Sequence, residues 1–136
     1  MNVLVDTSVW SLALRRGTPT ANTVVKELSE LIAESRVELI GAIRQELLSG
    51  VRQATQARAV REQLEAFPDL VLQREDYETA ADYFHQCRSA GLQGSNTDFL
   101  ICAVARRRSL AVFTTDKDFD AFAPIFGMTL HAPRGA

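Results

Sequence analysis

Met1-Asn2-Val3-Leu4-Val5-Asp6-Thr7-Ser8-Val9-Trp10 opens with three consecutive apolar residues that end on an aspartate. An unbroken apolar run, rather than an alternating one, predicts a parallel strand buried on both faces. Val9 to Leu14 then reads as one or two helical turns, broken by Arg15-Arg16-Gly17-Thr18-Pro19. The same strand-then-helix grammar recurs along the chain. From Asn22 to Ser35 the residues Val24, Val25, Leu28, Leu31 and Ile32 keep helical spacing. Val37 to Ile40 predicts a second strand, leading into a helix that carries Ile43, Glu46, Leu47 and Leu48 and ends near Gly50. Ala54 to Phe67 predicts a helix stopped by Pro68, Leu70-Val71-Leu72 a third strand, and Asp76 to Ala90 a helix closed by Gly91. Ser95 to Arg107 predicts a helix with Phe99, Leu100, Ala103 and Val104 inward. Ala111-Val112-Phe113 predicts a fourth strand, Lys117 to Phe122 a short helix, and Met128-Thr129-Leu130 a last edge strand. Alternation without hairpin signals implies an α/β fold: one domain over residues 1–136, with a central, mostly parallel sheet flanked by helices on both faces.

Composition narrows the chemistry. A chain of 136 residues with 46% hydrophobic content can bury its own core without disulfides or structural metals. No apolar run is long enough to span a bilayer. Asp6 interrupts the N-terminal apolar run and no basic region precedes it, so a cytoplasmic protein is expected. Cys87 and Cys102 lie in separate helical stretches and read as reduced packing residues. His85 and His131 stand in no metal-binding context. Any metal must therefore be held by oxygen. The 15 basic and 17 acidic residues give a net charge of −2, which argues against a broad polyanion-binding surface and leaves room for a local one.

The acids are placed where chemistry is done. Asp6 follows the first strand and Asp116 follows the fourth after Thr114-Thr115, so both belong on the carboxyl rim of the sheet, where open α/β folds bind ligands. Asp98 lies in the first turn of a helix, and Glu46 sits mid-helix between the small residues Ala42 and Gly50. Carboxylates gathered within a few ångströms repel and call for a cation. Mg²⁺ suits them, since it takes a few carboxylates plus waters and substrate phosphate. Paired ions of this kind activate water and stabilise both the attacking and leaving oxygens at a phosphodiester. Each acid also has a structural reading. Asp6, Asp98 and Asp116 can cap the helices they precede or begin, and Glu46 can lie on a solvated flank.

These same residues carry a family resemblance. Val3-Leu4-Val5-Asp6-Thr7-Ser8-Val9-Trp10, Ile43-Arg44-Gln45-Glu46-Leu47-Leu48-Ser49-Gly50, Asp98-Phe99-Leu100-Ile101-Cys102-Ala103-Val104-Ala105 and Thr114-Thr115-Asp116-Lys117-Asp118-Phe119 occur in the order found in PIN-domain proteins. The sequence resembles in particular the VapC-type toxins of bacterial toxin–antitoxin pairs, over essentially the whole chain. The resemblance implies a PIN-like fold, Mg²⁺ or Mn²⁺ held by Asp6, Glu46, Asp98 and Asp116, and endonucleolytic cleavage of RNA to 5′-phosphate and 3′-hydroxyl ends. It implies a supporting, water-holding role for Thr114, with Asp118 at most alongside it. It also implies a homodimer and a VapB-type antitoxin, which could insert an arginine into the acidic cleft.

Further contacts are proposed from the residues themselves. Val9, Leu12 and Ala13 of the first helix can face the core, which leaves Trp10 and Leu14 together on another side. That pair is a candidate interface seed, unless the chain's own helices cover it. Arg15 and Arg16 are candidate contacts to RNA phosphates or an acidic partner. Arg106-Arg107-Arg108 reads as a solvated, dipole-complementing helix end, or again as a phosphate contact. Two other enzyme classes fail on the residues. A dehalogenase-type phosphatase needs an aspartate where Ser8 stands, and a phospho-receiver needs one after a middle strand, yet none lies between Asp6 and Asp69. A non-catalytic interaction module and a DNA-directed nuclease remain open.

Overall fold

Val3–Val5 forms β1, and all three residues are buried. Successive strand residues point to opposite faces, so a strand with no exposed residue is covered on both sides. In the computed structural model, which describes residues 1–15 and 17–135, β1 pairs in parallel with β2 (Val37–Glu38) and with β3 (Ala111–Phe113), itself wholly buried. A fourth strand, β4 (Thr129–Leu130), pairs in parallel with β3, giving the order β2-β1-β3-β4. The register sets Val5 opposite Phe113, so β1 and β3 end level with one another.

Among the described residues, seven helices flank this sheet: α1 (Thr7–Leu14), α2 (Thr23–Ala33), α3 (Gly41–Ser49), α4 (Ala54–Leu64), α5 (Arg74–Ser89), α6 (Asn96–Arg108) and α7 (Asp118–Phe126). Local chemistry starts several of them. Asn22 Oδ1 accepts the Val24 and Val25 amides at 2.9 and 3.2 Å, satisfying donors that the first turn of α2 leaves free. Ser95 and Asp98 cap α6 reciprocally. From Phe99 to Ala105 every residue of α6 is buried, so α6 is the central helix of the core rather than a surface one. Gly94, just ahead of its cap, has no room for a side chain. A Cβ there would stand 2.9 Å from the rings of both Phe99 and Phe122.

Two expected elements differ. Residues 70–72 form no strand: a single bridge joins Leu39 to Asp69, the Leu70 amide reaches the Leu39 carbonyl at 2.9 Å, and the chain then leaves the sheet. Val71 is 85% exposed and its carbonyl is taken by Arg108 Nη2 at 2.8 Å, so a side chain satisfies the backbone where a ladder was expected. The last helix runs to Phe126 instead of Phe122, with Pro124 inside it, because Phe119, Phe122 and Phe126 form one buried face.

Candidate active site

The level ends of β1 and β3 bring Asp6 beside Thr114, and the Asp6 amide donates to the Phe113 carbonyl at 2.9 Å. Asp6 occupies the N-cap position of α1, yet its side chain makes no capping bond. Its carboxylate, only 6% exposed, instead accepts from two hydroxyls at Oδ2: Ser8 Oγ at 2.8 Å and Thr114 Oγ1 at 2.7 Å. The helix-cap reading of its side chain is thereby excluded.

The loop after β3 is ordered by the same hydroxyls. Ser8 Oγ accepts the Thr115 amide and Thr114 Oγ1 accepts the Asp116 amide, both at 3.0 Å. Asp116 Oδ1 then accepts the Asp118 amide at 2.9 Å, so Asp116 also starts α7, and Asp118, itself exposed, meets the site through its backbone. Asp98 keeps its capping role, with Oδ2 accepting the Ser95 amide at 3.0 Å. Burial pushes the Asp98 carboxyl above its ordinary value, and the neighbouring charges of Asp6 and Asp116 push it the same way against the pull of Ser95. Asp98 therefore senses two of the other three expected acids. Glu46 is exposed and separately held: Thr7 Oγ1 donates to its Oε1 at 2.6 Å, which ties the middle of α3 to the start of α1. It lines a cleft of about 290 Å³ together with Arg15, Leu14, Leu47 and Val51.

Ser8 and Thr7 were not singled out from the sequence as site residues. The available signal was their place in the first turn after Asp6, where hydroxyls can turn back onto a strand-end acid. Trp10 is corrected: it is 3% exposed, edge-on to Phe67 at a ring distance of 5.2 Å, so the chain's own Phe67 covers the face expected to seed an interface. Leu12, expected in the core, is only half-buried. Arg15 is exposed at the cleft, and Arg16 lies outside the described residues.

The donor set fits a hard divalent cation. Burial raises the Cys102 thiol, one turn beyond Asp98, and the Asp98 charge adds to that, so it offers no thiolate. Cys87 is raised by burial as well. What remains is oxygen, in a cluster whose mutual repulsion a cation relieves. Among the described residues, no group of three or more acids, histidines or cysteines stands close enough together to hold a metal ion by itself.

A family model described as PIN domain matches residues 3–124. No curated protein matches the sequence. Among solved structures, the chain is similar to FitAcB from Neisseria gonorrhoeae at 25% identity, covering 98% of this chain and 99% of that one with a TM-score of 0.76. It shares its fold with VapBC2 from Rickettsia felis, solved bound to a promoter DNA fragment (18% identity, 96% and 98% covered, TM-score 0.76). The same holds for VapBC-1 from nontypeable Haemophilus influenzae (16% identity, 96% and 97% covered, TM-score 0.72).

Proposed function

Since the chain belongs to the PIN-domain family, we propose that it is a divalent-metal-dependent endoribonuclease, the VapC-type toxin of a toxin–antitoxin pair. The observation that carries the nuclease reading is the placement of Asp6 and the Asp116 loop at the level ends of β1 and β3, joined through the Ser8 and Thr114 hydroxyls; the Asp98 carboxyl beside them is raised by burial first and then by both of their charges. When bound, Mg²⁺ or Mn²⁺ neutralises this cluster, activates water and stabilises the leaving oxygen of a phosphodiester. The chain's own part is positional. Asp6, Asp98 and Asp116 would hold the cation, Thr114 and Ser8 orient Asp6, and Glu46, tied to α1 through Thr7, lines the adjacent cleft with Arg15, which would meet a phosphate. Cleavage leaves 5′-phosphate and 3′-hydroxyl ends. A toxin–antitoxin complex from Klebsiella pneumoniae shares the fold, which supports a VapB-type antitoxin as partner; a homodimer acting in the cytoplasm completes the reading. No helix among the described residues is long and apolar enough to cross a membrane.

The deciding experiment measures cleavage of a mixed single-stranded RNA with Mg²⁺ or Mn²⁺, with chelator, and with Asp98→Asn, after both proteins are shown to unfold cooperatively. Metal-dependent cleavage that falls at least about 100-fold in the variant is expected. Equal cleavage in chelator and by the variant would overturn the assignment. Cleavage of DNA but not RNA would transfer it to a DNA-directed nuclease. Folded protein inert towards both would leave the interaction module as the better reading.

A further inference from the structure

Ser8 Oγ and Thr114 Oγ1 stand between Asp6 and the loop that carries Asp116, and each hydroxyl has one hydrogen to donate. Both approach the same oxygen, Asp6 Oδ2, at 2.8 and 2.7 Å. Each in turn accepts a loop amide: Thr115 on Ser8 Oγ, Asp116 on Thr114 Oγ1. With both hydrogens directed at Asp6, the 3.3 Å between the two hydroxyl oxygens is a packing contact and not a further bond. Asp6 Oδ1 is left without a donor among the described residues. It is not sealed either, because Trp10 Nε1 is the one sealed and unpaired side-chain polar atom among them. One oxygen of Asp6 is tethered by two hydroxyls, and the other has no donor among the described residues.

The two hydroxyls are not equivalent. Thr114 lies on the loop itself, so its bond to the Asp116 amide is local. Ser8 comes from α1 and is the hydroxyl that joins that helix to residue 115, 107 residues away. A serine in a first turn ordinarily serves its own helix, whereas this one bonds the preceding acid and a loop of another element. We propose that Ser8 is the positioning residue of this site: its hydroxyl clasps α1 to the loop after β3, holds Asp6 through Oδ2, and so sets the spacing of the Asp6 and Asp116 carboxylates for a shared divalent cation. The cation rests on the function proposed above; the clasp does not.

The test compares wild type with Ser8→Ala, Ser8→Thr and Ser8→Cys by Mn²⁺ titration, read by electron paramagnetic resonance, and by hydrogen exchange of the Thr115 amide. Ser8→Ala is expected to weaken Mn²⁺ binding about tenfold, the effect typical of removing a group that orients a ligand, and to speed exchange at Thr115. Ser8→Thr keeps the hydroxyl and restores both. Ser8→Cys keeps the volume with a poorer donor and acceptor and falls between, and it decides the matter if Ser8→Ala does not fold. Wild-type Mn²⁺ affinity together with an equally protected Thr115 amide in Ser8→Ala would overturn the proposal. If wild type itself binds no Mn²⁺, the metal reading fails, while exchange at Thr115 still decides the clasp.

Discussion

At Asp98 two demands meet on one carboxyl. It caps α6 through Ser95, which favours its charge, while burial and then the charges of Asp6 and Asp116 disfavour it more, leaving its proton affinity above the ordinary value of 3.8. A carboxyl raised on folding binds its proton more tightly in the native state, so its charge costs stability as pH rises above 3.8, and the cost is complete once pH passes the raised native value. Asp98→Asn removes that cost and keeps an oxygen for the Ser95 amide. The variant is therefore expected to melt higher than wild type at pH 7 without metal, by an amount that shrinks as pH falls towards 3.8. Added Mg²⁺ should stabilise wild type and leave the variant unmoved. Scanning calorimetry with and without the ion decides it. A lower melting point for the variant at pH 7 would mean that the cap outweighs the repulsion.

The helices show where a carboxylate is structural instead. Asp76, in the first turn of α5, is wholly buried, accepts the Gln73 amide at 2.7 Å and is gripped by Arg107 and Arg108 from the end of α6. Burial alone would raise its carboxyl; the amide and the two guanidinium groups outweigh that and hold it below its ordinary value. Such a group stabilises the fold above pH 3.8, and the contribution is lost as pH falls through the lower native value. Asp76→Ala should cost about 3 kcal/mol at neutral pH in urea unfolding, since it strands two arginines in a partly buried setting. A loss under about 0.5 kcal/mol, the scale of an exposed pair, would contradict this. The three-arginine run was read from sequence as a solvated or phosphate-facing helix end, because its partner lies 31 residues earlier and only the packing of α5 on α6 brings them together. What was legible had a local cause: β1 and β3 announce themselves as unbroken apolar runs, and Asp6 and Asp116 as the acids ending or following them. What was not legible depended on distant partners. The segment at 70–72 reads as a strand until Arg108 takes its carbonyl, Trp10 reads as a surface residue until Phe67 covers it, and Ser8 bonds a loop 107 residues away.

Across the whole molecule the C-terminal segment after β4 is clasped to α2. Just past β4 the chain still follows β3, with the His131 amide on the Val112 carbonyl at 2.8 Å and its ring edge-on to Phe113. It then meets α2, where the buried Glu27 bonds His131 Nε2 at 2.7 Å and Arg134 Nε at 2.8 Å. Arg134 also reaches Glu30 and Glu34 at 2.9 and 3.0 Å. Burial opposes the charge on Glu27, but Arg134 and His131 outweigh it and lower the carboxyl from 4.5 to about 2. A depressed carboxyl contributes stability that is complete above pH 4.5 and disappears as pH falls to about 2. Glu27→Gln keeps the shape and one acceptor while removing the charge. It is expected to cost about 2 kcal/mol at pH 7, less than for a fully sealed pair because Arg134 is half exposed. Urea unfolding of both proteins at pH 7, 4.5 and 3 is the measurement, with the gap nearly unchanged from pH 7 to 4.5 and clearly narrower at pH 3. A gap that stays constant would assign the clasp to packing of the tail on α2. A gap that narrows assigns it to charge, and makes acid the condition under which the C-terminal segment is released first.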